Sequence, residues 1–291
     1  MFAITGASGR LGRLTLDALL DRVDPAEVVA VTRTPGAVAR AGRIRIRAAD
    51  FAAPATLATA FKGVRRLLLI SADRTPERLA LHRAAVGAAV TAGVEHVIYT
   101  SVVRAADPGN PVPEARDHGR TEALLAASGL AHTVLRVNVW PDMFLLSGLA
   151  RLAVAGGELP SSAGGGRVGY VSRADTGWAC AALLAGADAP TGRVLDLTGP
   201  GLTDDDVAAA LTEATGRTVR HRPVADHEVA GALTALGVPP ALAAGWGEND
   251  PFRRAGWFDV PDDGTTRRLL GREPVALADF FTAHRAELLT G

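Results

Sequence analysis

The chain has 291 residues, 48% apolar and 21% charged, and its 31 basic and 31 acidic side chains cancel. That composition excludes intrinsic disorder, collagen-like repeats and a bare coiled coil. The even balance also argues against a nucleic-acid partner, whose phosphates call for a basic surplus or stripe. Cys180 is the only cysteine, which excludes internal disulfides and a cysteine-based zinc site. The seven histidines are scattered, so no metal site is readable. Met1 leads directly into a short apolar run without the features of a signal peptide. Charges interrupt every apolar stretch before the roughly 18 residues of a membrane helix. The expectation is a soluble, cytoplasmic protein that neither spans a membrane nor binds nucleic acid, and whose assembly into a homo-oligomer is left open.

In chain order, Phe2 to Thr5, Val28 to Thr32, Leu67 to Ile70, Val97 to Thr100 and Thr133 to Val137 are short continuous apolar runs. Continuous rather than alternating runs predict parallel strands covered by helices on both faces. Between them, residues 11–22, 76–92 and 120–128 have amphipathic helical patterns, with Gly93 and Gly129 where C-caps are expected. Arg43 to Arg47 alternates strictly, as an edge strand with one solvated face does; an anionic-ligand patch is the other reading. The repetition predicts an α/β fold, a doubly wound parallel Rossmann sheet of order 3-2-1-4-5-6. Further strands are expected over 167–171 and 194–197, and helices over 176–184, 204–215, 226–236 and 276–289. The domain division expected is a dinucleotide-binding core over 1–137. Residues 138–291 would form mostly a smaller lobe that caps the carboxyl edge of the sheet, with some elements returning to the core.

Gly6-Ala7-Ser8-Gly9-Arg10-Leu11-Gly12 follows the first strand and opens the first helix. At that place a tight turn, close backbone approach and a helix N-terminus together suit a pyrophosphate. Near the end of the second strand, an acidic residue would select the ribose hydroxyls of NAD. Val31-Thr32-Arg33-Thr34 offers Arg33 instead, which can bond a 2′-phosphate, with Arg10 in reach of the same group. NADP(H) is therefore the expected cofactor, preferred over NAD(H); a solvated loop role for Arg33 is the alternative.

The glycine loop, Arg33, Ala49-Asp50-Phe51, Leu67 to Ser71, Tyr99-Thr100-Ser101, Ser128-Gly129, Leu135-Arg136 and Ser172-Arg173-Ala174-Asp175 together resemble an atypical short-chain dehydrogenase/reductase of the NmrA-like group. Within that group the resemblance runs to the bacterial NAD(P)H:quinone oxidoreductase type 2 proteins. It implies that Gly6, Ala7, Ser8, Gly9, Arg10 and Leu11 hold the pyrophosphate and Arg33 the 2′-phosphate. Asp50 and Phe51 would border the adenine. Ile70, Ser71 and Ala72 would run beside the nicotinamide-side ribose, as would Val137, Asn138 and the residues to Trp140. The Val137-Asn138-Val139-Trp140-Pro141 segment departs from the Asn-Gly-Trp-Tyr-like segment of related quinone reductases.

Standard members of the superfamily use a tyrosine acid with a lysine four residues on. Tyr99 and Tyr170 are the only tyrosines, neither has that lysine, and the single lysine, Lys62, precedes a core strand. The superfamily spacing places Glu114 at the tyrosine position and His118 at the lysine position. His118 is the candidate catalytic residue, through the nicotinamide ribose or a proton relay; a histidine on the helix surface, or one that only supports the residues at the site, is the alternative. Tyr99 is expected to pack under the nucleotide, Glu122 and Arg136 to form a structural ion pair, and Asp175 to cap a helix. An acceptor that needs little enzymic acid, such as a quinone, fits this set, with hydride transfer governed by holding ring over ring. Val102, Trp140 and Phe144, with Val103 and Met143, are the candidate substrate slot, each also a candidate for core packing. The functional expectation is an NADPH-dependent oxidoreductase reducing quinones or similar planar, electron-poor acceptors. The rivals are a non-catalytic NADP(H) sensor that binds a partner protein, and a reductase or isomerase of a specialised metabolite.

Overall fold

The computed structural model describes residues 1–38, 42–73, 75–186 and 190–290, which divide into two compact units. The first unit comprises Met1–Val137, Arg173–Leu197 and Thr265–Arg272. Its strands are β1 (Phe2–Thr5), β2 (Val28–Thr32), β3 (Arg45–Ala48), β4 (Arg66–Leu69), β5 (His96–Val102), β6 (Ala131–Val137) and β9 (Arg193–Leu197). They form one sheet in the order β3-β2-β1-β4-β5-β6-β9, with every neighbouring pair parallel. The first six strands therefore take the doubly wound order predicted, and β9 extends the sheet beyond β6. β3 lies at the edge, and the Arg47 guanidinium donates to the carbonyls of Ala60 and Lys62 at 2.7 and 2.8 Å. That use of Arg47 is the packing of an edge strand, not an open anion patch.

Alternate residues of the central strands face opposite layers, and both sets are buried. Ala3, Val29, Val31, Leu67, Leu69, Val97 and Tyr99 share one core with residues of α2 (Pro54–Ala60), α3 (Arg78–Thr91) and α4 (Pro113–Ala127). Ile4, Val28, Ala30, Leu68 and Ile98, the alternate set, have no solvent exposure. α1 (Arg10–Leu20) lies against α7 (Arg173–Ala185), with Gly177 close to the Leu14 backbone and the Arg22 guanidinium 3.8 Å over the Trp178 ring. α7 starts at Arg173, so Asp175 is inside the first turn, bonded to Arg272 at 2.6 Å, rather than the cap expected. α11 (Thr265–Leu270) completes this unit.

The second unit comprises Asn138–Ser172, Thr198–Gly264 and Glu273–Gly291. It holds α5 (Asp142–Leu146), α6 (Leu149–Gly156), α8 (Asp204–Thr215), α9 (Val229–Ala235), α10 (Pro240–Arg254), α12 (Leu277–Ala283) and α13 (Arg285–Leu289). Its strands are short pairs: β7 (Glu158–Ser161) with β11 (Arg220–Pro223), and β8 (Val168–Gly169) with β10 (Gly201–Leu202). α8 has the predicted bounds because Thr203 and Asp206 form a reciprocal capping box at its start. The single helix predicted over 276–289 is two. His284 leaves helical dihedrals (φ −107°, ψ 15°), and its imidazole bonds to the Phe280 carbonyl. Among the described residues no helix is long and apolar enough to cross a membrane.

Candidate cofactor-binding site

The glycine segment joins β1 to α1. Gly6 has φ +61°, a left-handed conformation that a side chain resists, and its carbonyl accepts the Gly9 N–H at 2.9 Å. A Cβ at Gly12 would overlap the Gly6 carbonyl oxygen and come within 2.8 Å of Ala7 Cα. The third glycine is thus what lets the helix start directly beneath the turn. Gly6, Gly9 and Arg10 are exposed, whereas Ala7 and Leu11 are buried and anchor the loop from below. α1 has no side-chain cap and no carboxylate in its first turn. A turn open at its glycines, ending on an uncapped, positively polarised helix start, fits a pyrophosphate.

Beside this turn the side chains of Ser8, Thr32 and Thr34 form a hydroxyl cluster. Ser8 and Thr32 are 2.6 Å apart, Thr34 donates to Ser8 at 3.0 Å, and the Thr34 N–H donates to Thr32 at 3.1 Å. The cluster ties the end of β2 to the glycine loop and leaves Arg33, between its two threonines, exposed. At the end of β3, Asp50 accepts the Ala52 N–H at 3.0 Å and its own backbone exchanges bonds with the Thr56 hydroxyl. Asp50 thus shapes the turn that presents Phe51, whose half-buried ring packs against the first unit's core.

The order of the sheet reverses between β1 and β4, the place where open parallel sheets bind ligands at their carboxyl ends. There Thr5 donates to the Leu68 carbonyl and accepts the Ile70 N–H at 2.9 Å. The Ser71 N–H donates to Thr100 at 3.0 Å, and the Ala72 N–H to His82 Nε2 at 2.9 Å. Ile70, Ser71 and Ala72 are half-buried, and Ile70 faces the Cα of Gly6.

Behind this segment lies a buried polar network. Tyr99 OH and His118 Nδ1 share a hydrogen bond of 2.8 Å, with Tyr99 fully buried and His118 4% exposed. Burial, helped by the nearby charges of Arg78 and His82, pushes the His118 imidazole down to about 3. Burial also raises the Tyr99 phenol above its ordinary range. His118 is therefore not a surface residue; its imidazole is an interior hydrogen-bond partner of Tyr99, the supporting role that stood as the alternative to a relay or ribose contact. Ser101 donates to Glu122 at 2.6 Å, and Arg136 makes a two-pronged bond to the same carboxylate at 3.0 and 2.7 Å. That pair joins strand β6 to helix α4, the structural role read from the sequence. Glu114 is half-buried in the first turn of α4.

Val137 is buried, and its carbonyl accepts the Val103 N–H. Asn138 is also buried. Its amide donates to Thr198 and to the Phe258 carbonyl, both at 3.0 Å, and its oxygen accepts the Val139 N–H. The Asn138 side chain is thus occupied inside the second unit, and builds a turn where a cofactor contact was expected. Val102 and Trp140 are half-buried, Val102 in the first unit and Trp140 in the second. Phe144 is 1% exposed and packs on Tyr170, Trp246 and Phe281 at 4.9 to 6.0 Å, so it is core of the second unit and not a wall of an open slot.

The hydroxyls of Thr5, Thr32 and Thr100 and the imidazole of His82 escaped the sequence reading. A signal was there: three of the apolar runs, Phe2 to Thr5, Val28 to Thr32 and Val97 to Thr100, end in threonine. A hydroxyl at the carboxyl end of a buried strand is placed to bond the chain leaving its neighbour. His82 carried no such signal, since its place on α3 is set by tertiary packing alone.

The NAD(P)H-binding family model matches residues 6–187 of this chain. Quinone oxidoreductase 2 of Escherichia coli is 34% identical over 284 residues, covering 96% of each chain. The NAD(P)H azoreductase of Xenophilus azovorans is 27% identical, covering 98% of each. The crystal structure of the E. coli NADPH-dependent quinone oxidoreductase with NADPH superposes with a TM-score of 0.89 at 33% identity, covering 98% of this chain and 99% of that one. The Citrobacter triphenylmethane reductase with NADP(H) gives 0.90 at 28% identity, with coverages of 98% and 100%.

Proposed function

From the premise that this chain belongs to the NAD(P)H-binding family, within its NmrA-like reductases, we propose that it is an NADPH-dependent reductase of quinones and similar planar, electron-poor acceptors. The glycine turn and the free start of α1 hold the pyrophosphate, and exposed Arg33 supports a preference for the 2′-phosphate of NADPH over NADH. The cofactor would supply the hydride. The protein's part is to hold it at transfer distance from the acceptor.

The observation that carries the acceptor class is the Tyr99–His118 bond. The tyrosine and the histidine that could supply a proton are buried and hydrogen-bonded to each other. A ketone or aldehyde needs a positioned acid to take up a hydride. A quinone or a cationic dye does not, because the acceptor itself stabilises the added electron pair. Two relatives are named for such acceptors, a quinone oxidoreductase and a triphenylmethane reductase, and a third is an azoreductase.

Steady-state NADPH consumption with a panel of a simple quinone, an azo dye, a triphenylmethane dye and an aldehyde tests this. Turnover is expected with the quinone and at least one dye, and none with the aldehyde. Aldehyde reduction without quinone reduction would overturn the acceptor class. Cofactor binding without any turnover would favour a non-catalytic sensor.

A further inference from the structure

Three consecutive backbone N–H groups leave β4, and each is accepted by a side chain from a different element. Thr5 on β1 takes that of Ile70, Thr100 on β5 that of Ser71, and His82 on α3 that of Ala72, all within 3.0 Å. The two threonine hydroxyls can rotate to suit. The imidazole cannot, and Nε2 accepts only in the tautomer that carries its proton on Nδ1. That tautomer is imposed from the other side. The Thr121 hydroxyl donates its one hydrogen to the Asp117 carbonyl at 2.9 Å and so offers a lone pair to His82 Nδ1, also at 2.9 Å.

His82 has no solvent exposure, and its ring stands edge-on to Tyr99 at 5.6 Å. The groups around it are Arg78 on its own helix, Tyr99 on β5, and Asp117, His118 and Thr121 on α4. Burial, and then the charge of Arg78, push its pKa down to about 4, so the lone pair that Ala72 needs is intact at neutral pH.

The 70–72 segment leaves the sheet where strand order reverses, on the side away from Arg33 and Asp50. In a doubly wound sheet, each half of a dinucleotide lies over one half of the strands. The adenine half belongs over β1, β2 and β3, and the nicotinamide half over β4, β5 and β6. We propose that His82 is a positioning residue for the nicotinamide half of the cofactor: by accepting the Ala72 N–H it fixes the backbone on which that half rests. The proposal depends on the reading of this crevice as the NADP(H) site.

The test compares affinity for NADPH with affinity for adenosine 2′,5′-bisphosphate, which has the adenine half only. His82→Leu should raise the Kd for NADPH by about tenfold, the cost of one unsatisfied donor, and leave the Kd for the bisphosphate unchanged. His82→Gln, which returns an acceptor near the Nε2 position, should recover most of the NADPH affinity. Thr121→Val, which frees the imidazole to take the other tautomer, should shift NADPH in the same direction as His82→Leu, and it keeps the test available if that variant does not fold. Equal weakening of both ligands, or no change in either, would overturn the proposal. A wild-type protein that binds neither ligand would remove it by a separate route, through failure of the cofactor reading itself.

Discussion

In the first unit the tyrosine and histidines buried behind the candidate site are neutral, with an ion pair, Glu122–Arg136, beside them. Tyr99 pairs with His118, and His82 joins Thr121 to Ala72. The second unit buries a cluster of three charges at one point. Arg253, with a side chain 7% exposed, is held between Asp204 and Asp250, each 2% exposed. Asp250 also accepts the Ser162 N–H at 2.8 Å, and Ser161 bonds to Asp204. The two networks also join different kinds of backbone. Seven parallel strands satisfy the first unit's main chain internally, so its side-chain network is free to shape the ends of strands. The second unit has strand pairs of two to four residues, and its ion cluster ties the end of β7 to the start of α8 and to α10.

The largest effect should come from breaking the charged cluster. Arg253→Ala leaves two buried carboxylates unpaired and should cost about 3–5 kcal/mol in urea unfolding. A loss below 1 kcal/mol, on the order expected of an exposed pair, would show that water already solvates the cluster. In the first unit, Arg33→Glu should weaken NADPH binding by about 1.5–3 kcal/mol, from a lost charge-assisted bond and added repulsion. NADH binding should barely move, and equal changes would remove Arg33 from the phosphate site. Gly12→Ala forces a methyl group into the Gly6 carbonyl, so about 1–3 kcal/mol of stability should go together with NADPH affinity; calorimetry and titration read the two.

The neutral histidines make a pH prediction with a definite sign. Unfolded histidine takes up a proton near 6.5, whereas folded His82 and His118 do so only near 4 and 3. Between those values the unfolded chain binds more protons, so stability is complete above about pH 6.5 and falls steadily as the pH drops through 5. His82→Gln should shallow the slope of Tm against pH; an unchanged slope would deny His82 that share. The smallest effect concerns Cys180, fully buried with its thiol pushed up to about 12. A thiol reagent should label it only on unfolding, and rapid labelling of the native protein would contradict its burial.

The two units also differ in how far the sequence discloses them. Continuous apolar runs identified β1 and β2 to the residue, and placed β4, β5 and β6 within two residues, because strands buried on both faces need apolar side chains throughout. Helix α10 was not legible: Pro239, Gly245, Gly247 and Pro251 break the helical pattern, and tertiary contacts hold it together. The glycine loop was readable because backbone geometry demands glycine at 6 and 12. The network behind it was not. A side chain such as His118 looks the same in a sequence whether it faces a ligand or, as here, the ring of a tyrosine nineteen positions earlier.

Reduction of a quinone by NADPH without an enzymic acid leaves a kinetic signature. Single-turnover hydride transfer to a simple quinone, followed from pH 6 to 9 and in heavy water, tests it most directly. Transfer should be rapid, with a rate flat in pH and no solvent isotope effect. A rate that titrates with a single group and slows in heavy water would show a proton donor in the transition state, and would contradict the reading of Tyr99 and His118 as a buried pair.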